Sequence, residues 1–149
     1  MRHALVLTAL VALSCASGPP GPAALDTKNE SCSWCRMAVS DVRFAGQLVA
    51  PSEEALFFDD IGCLGSYVAG SRTLPDGAVA YVADHRTGTW VRAGAATYTH
   101  VPSVETPMGS HLLAHADPAS RDADADAKRG SPRTPAEVFG PGGPPGGGP

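Results

Sequence analysis

What this sequence has little of narrows it first. It carries no excess of positive charge: 11 Lys and Arg stand against 15 Asp and Glu, a net charge of −4. No basic stripe runs along it, which excludes a nucleic-acid binder. It has no apolar run of the roughly 20 residues that a membrane-spanning helix needs; the run over residues 4–13 is too short. It shows no Ser-His-Asp order, phosphate-binding loop or nucleotide fingerprint, so the sequence offers no support for an enzyme. With 149 residues it is too short for a large multidomain enzyme. It has one CxxC and no second cysteine or histidine pair at finger spacing, so a structural zinc site is disfavoured.

Glycine and proline, in contrast, are plentiful, with 17 and 14 residues concentrated towards the two ends. Roughly 100 residues remain to form a core, a size often helped by a disulfide, a metal or a partner. The start reads as targeting: Met1, Arg2 and His3 precede the short apolar stretch, as in a secretory signal. The string Val11-Ala12-Leu13-Ser14-Cys15 resembles the lipobox of bacterial lipoproteins. That resemblance implies cleavage after a signal over residues 1–14 and lipidation of Cys15. With Ala16 and no Asp beside the anchor, outer-membrane sorting is expected in a Gram-negative host. Residues 15–31 then comprise the lipidated cysteine and a flexible tether. Residues 32–139 are the expected domain, outside the cytoplasm, and residues 140–149, only Gly and Pro, a disordered tail.

Within the domain, strand-like runs occupy residues 43–50, 56–58, 78–83, 89–92 and 96–101, each bounded by turn residues. One helix is well marked. Asp59 or Asp60 caps it, Ile61, Leu64 and Val68 share a face, and Gly70 ends it. One of these aspartates is also open to pairing with Arg43. A weaker helical stretch, residues 118–129, lacks a wide apolar face. Strand, strand, helix, strand predicts an α+β domain, with a looser second half.

The sulfur-bearing residues carry the chemistry. If Cys15 is lipidated, Cys32, Cys35 and Cys63 remain, an odd number for a secreted chain. Met37 follows Cys35 at i+2, on the same side of an extended chain. Thiolate and thioether sulfur select Cu(I) over hard cations. A third ligand from a distant loop would close the site. Met108, in the turn-like Thr106-Pro107-Met108-Gly109, or a histidine is the natural choice. His111 and His115 are favoured over His85, and Cys32 and Cys63 are further candidates. The CxxC also raises a thiol–disulfide oxidoreductase. Its lead-in loop and the missing helical pattern after it speak against a thioredoxin-type site.

Four strings in order resemble the NosL family: Cys35-Arg36-Met37; Arg43-Phe44-Ala45-Gly46-Gln47; Phe58-Asp59-Asp60-Ile61-Gly62-Cys63; and Thr106-Pro107-Met108-Gly109. The resemblance implies a fold of two small strand–helix–strand halves similar to organomercurial lyase. It implies a periplasmic, lipid-anchored Cu(I) chaperone serving the copper–sulfide centre of nitrous oxide reductase, with that enzyme and its maturation machinery as partners. It puts copper on Cys35, Met37 and Met108. The family usually has glycine where this chain has Arg36. The alternative is a general copper-binding lipoprotein using the CxxC.

Overall fold

The computed structural model describes residues 18–147 apart from Arg72. The expected signal segment, Cys15 and the last two residues lie outside the described residues. Two antiparallel sheets form an α+β fold. The first comprises β1 (Gly46–Val49), β2 (Leu56–Phe58), β3 (Val79–Ala83) and β4 (Trp90–Arg92), in the order β2-β1-β3-β4. The second comprises β5 (Thr97–His100), β6 (Leu112–His115) and β7 (Ser131–Arg133), in the order β6-β5-β7. Among the described residues three α-helices complete it: α1 (Ile61–Gly70), α2 (Pro118–Ala123) and α3 (Pro135–Phe139). None of the described helices is long and apolar enough to cross a membrane.

The marked helix forms as its signals predict. Asp60 is the N-cap, with its carboxylate accepting the Gly62 N–H at 2.6 Å. Past Gly70, Ser71 returns both its N–H and its hydroxyl to the Tyr67 carbonyl. Ile61, Cys63 and Leu64 are buried. α1 lies so close to β1 that a Cβ at Gly46 would meet Leu64 Cδ2 at 2.7 Å. Phe57, Phe58, Ile61 and Leu64 share one core with Tyr98, Ala114 and Phe139 of the second half. Emptying such a position, for example Phe58→Ala, costs about 3–5 kcal/mol.

Three elements have no clear sequence signal. β6 is buried at three successive positions, so it shows no alternation. β7 is three residues with a central proline. α3 is five residues long, held by a capping box between Thr134 and Glu137, with Phe139 edge-on to Tyr98. The weak helix over residues 118–129 is shorter than expected. α2 ends at Ala123, and Asp124 turns inward to meet His85 and His115.

Two further expectations are corrected. From Pro20 the segment read as a tether is part of the domain. Pro20 O accepts the Tyr81 hydroxyl, and Ala23 exchanges two hydrogen bonds with the buried Gln47 side chain. The Gly–Pro segment over residues 140–147 is likewise laid against β3. Ala80 N–H donates to Pro145 O at 3.0 Å, Pro144 is buried, and a Cβ at Gly146 would meet Val79 at 2.8 Å. A backbone acceptor and a missing Cβ hold this segment, and neither needs an apolar side chain.

Candidate metal centre

The first wall of the site is the loop carrying the CxxC. Cys32 N–H donates to Met37 O at 2.7 Å, and Arg36 N–H to Cys32 O at 3.0 Å. A bridge between Ser31 and Ala38 closes the loop. No helix follows Cys35, so the thioredoxin context is missing. The loop closes through Arg36 at φ 69°, a left-handed conformation that favours glycine. This accounts for the glycine that the resemblance expects there.

The loop and α1 bring the thiols together. Cys32, Cys35 and Cys63 are free, with Cys32 and Cys63 buried and Cys35 half-buried. Their three sulfurs and a carboxylate oxygen of Asp59 lie within 4.8 Å of one another. Cys35 Sγ donates to both Asp59 oxygens at 3.4 Å. Burial pushes the Cys35 thiol up; a hydrogen bond from the Met37 backbone opposes this, while Cys32 and Asp59 add to it. Cys63 is pushed far up by burial, then by the charges of Cys32 and Asp59. The metal-free Cys35 and Cys63 thiols are therefore protonated near neutral pH, and a metal must displace those protons.

The second wall is the loop carrying Met108, and Asp60 holds it. While one Asp60 oxygen caps α1, Oδ2 accepts the Thr106 hydroxyl at 2.7 Å and the Met108 N–H at 3.0 Å. Thr106 Oγ1 in turn accepts the His111 N–H at 3.1 Å. Between the walls lies an open cavity of ≈ 280 Å³. Trp34, Cys35, Cys63 and Met108 line it, with Asp60 and Ser110. Trp34, Met37 and Met108 are 51%, 55% and 47% exposed. These are the exposed large hydrophobics among the described residues, and all sit in the two loops of the site.

Cys35, Cys63 and Met108 thus meet at one cavity, with Cys32 behind them. Met37 stands in solvent, outside the cavity lining. The histidines are placed elsewhere. His111 Nδ1 is 2.8 Å from Val104 O, and His115 joins His85 and Asp124 in a separate buried cluster. Asp59 is the member of the thiol group that sequence reasoning did not single out as a ligand. Its signal, a second acidic residue beside the cap, was open to pairing with Arg43. Arg43 instead pairs with Asp41 at 2.7 Å.

The donor set is soft, with thiols and a thioether beside a carboxylate, which suits copper or zinc more than a hard cation. The NosL family model matches residues 22–138, more than half of the chain. No curated protein matches it. With the copper-suited cysteine cluster in place, the chain belongs to the NosL family of copper-binding accessory proteins.

Proposed function

We propose that this protein is a Cu(I) carrier, anchored through Cys15 outside the cytoplasm, that hands copper on for the copper–sulfide centre of nitrous oxide reductase. The observation that carries the reading is the meeting of Cys35, Cys63 and Met108 at one solvent-open cavity, with Cys32 and Asp59 adjoining. Copper is cargo here, so the site must both hold and release it. Cys35 is the anionic anchor at the rim. Met108 and, after a side-chain turn, Met37 supply neutral sulfurs. Thioethers are not protonated near neutral pH and form no disulfides, which suits an oxidising compartment. Their exposure leaves them open to an acceptor's own ligands, so copper passes by exchange without becoming a free ion. Trp34 shields one side of the cavity from water.

Anaerobic competition against a Cu(I) chelator tests the ligand set. One Cu(I) per protein is expected, with Cys35→Ala losing the most affinity. Met37→Leu and Met108→Leu should lose less, since leucine keeps the volume and removes only one neutral donor. Equal affinity for Cys35→Ala and the parent would overturn the assignment. The client is tested by deleting the gene in a host that makes nitrous oxide reductase. A reductase lacking its copper–sulfide centre is expected, and a fully loaded one would leave a general copper carrier. Membrane attachment is tested by Cys15→Ser, which should release the protein. Fractionation of the parent should find it in the outer membrane.

A further inference from the structure

A second convergence of metal-ligating groups lies away from the sulfur cavity. His85 follows β3 by two residues, His115 is the last residue of β6, and Asp124 is the C-cap of α2. His85 Nδ1 and His115 Nε2 approach the same carboxylate oxygen, Asp124 Oδ2, at 2.7 and 2.9 Å. The three ligand atoms lie within 4.8 Å of one another. All three residues are buried.

We propose that His85, His115 and Asp124 form a second metal site, for one borderline divalent cation such as Zn(II) or Cu(II). The donors are two imidazole nitrogens and one carboxylate oxygen, with no sulfur. That set suits zinc or cupric ion and leaves Cu(I) to the sulfur centre. Three protein ligands leave one position of a tetrahedral zinc site for water.

The surroundings already orient the ligands. Asp124 Oδ1 accepts the Asp126 N–H at 2.9 Å, which leaves Oδ2 to the two rings. His85 N–H donates to Ala114 O at 2.8 Å, fixing the base of one ligand against the strand that carries the other. The Phe44 ring, 5.2 Å from that of His85, is an apolar wall. Arg43, the nearby cation, is engaged by Asp41 at 2.7 Å and does not take the carboxylate. Protein hydrogen bonds do not complete the cluster, because His115 Nδ1 is buried with no partner. For binding, each ring presents a lone pair to the metal and carries its proton on the other nitrogen, which for His115 is the unpartnered Nδ1. A cation here ties the first sheet to the second and stabilises the native state in proportion to its affinity.

The proposal is independent of the copper-carrier reading and is tested apart from it. The full mature protein is first saturated with Cu(I) under argon, which occupies the thiols. It is then titrated separately with Zn(II) and with Cu(II) against a chelator. One further divalent ion per protein is expected, with a rise in Tm. His85→Gln and His115→Gln should each weaken it by at least about 100-fold. An equal uptake by His85→Gln and the parent would overturn the proposal. So would a divalent ion that displaces Cu(I) and binds nowhere else. If neither histidine variant folds, X-ray absorption of the Zn(II) form and electron paramagnetic resonance of the Cu(II) form of the parent decide. Two imidazoles and only nitrogen and oxygen neighbours are expected, and sulfur in the coordination sphere would refute the site.

Discussion

The carboxylate of Asp60 accepts the backbone N–H of Met108 at 3.0 Å, across 48 residues of sequence. The same side chain caps α1, which carries Cys63. One residue therefore sets the distance between the methionine loop and the helix. Asp60→Ala should cost about 3 kcal/mol, by loss of the cap and of two partly buried hydrogen bonds. It should also weaken Cu(I) binding while leaving Cys35 and Met108 in the chain. Urea unfolding and chelator competition on the same preparation check both effects. Unchanged copper affinity in a folded variant would mean that the loop does not need this tie.

Copper binding should strengthen as pH rises. Burial raises the Cys35 thiol, and Cys32 and Asp59 add to that against the Met37 backbone hydrogen bond, so across the neutral range the proton competes with the metal. Each displaced proton adds about one unit of log K per pH unit below the thiol pKa. Chelator competition at several pH values, with proton release followed in weak buffer, gives the number of thiols that ionise. A flat profile would place copper on neutral donors alone.

Asp84 predicts an acid limb in stability. Burial opposes its ionisation, but hydrogen bonds from Ala116 N–H, the Ser120 hydroxyl and Thr87 outweigh that and hold its pKa down to about 2. A depressed carboxylate stabilises the fold above its unfolded pKa of 3.8 and loses that contribution as pH falls towards 2. The contribution at neutral pH is about 2 kcal/mol. Asp84→Asn should lose it and flatten unfolding free energy between pH 4 and pH 2, roughly the window the shift defines. Denaturant titrations across that range provide the comparison.

Arg36 occupies a left-handed conformation at φ 69°. Arg36→Gly removes the Cβ penalty and should stabilise the protein by about 0.5–1 kcal/mol, after the extra freedom that glycine gives the unfolded chain is subtracted. Arg36→Ala, which keeps a Cβ, should bring no such gain. If the two variants melt together, the strain is absent.

Truncation after Gly140 should lower Tm by several degrees and leave Cu(I) affinity intact. It removes the Pro145 acceptor from Ala80 and uncovers Val79, both far from the sulfur cavity in the chain. Thermal unfolding of the truncated and full chains, each with and without Cu(I), separates the two effects. An unshifted Tm would return the segment to the role of a free tail.

Local chemistry made part of this protein legible from its residues. Asp60 ahead of Ile61 and Leu64 marks a capped helix wherever the chain places it. Cys35-Arg36-Met37 marks two soft sulfurs close together, and Thr106-Pro107-Met108-Gly109 marks a third in a turn, because Pro107 and Gly109 interrupt a helix or strand. These signals depend on neighbours within a few positions, so composition and spacing report them. Only the tertiary structure decided what depends on atoms far apart in sequence. It brought Cys63 and Asp59 to Cys35, tied Met108 to Asp60, and left Met37 in solvent. It also moved His115 away from the sulfur site to His85 and Asp124, since β6 points that ring into the second half of the fold. The glycine–proline segment became part of the domain through backbone hydrogen bonds and close approach to β3. Those forces act through carbonyl oxygens and missing side chains, which hydrophobic patterning does not register.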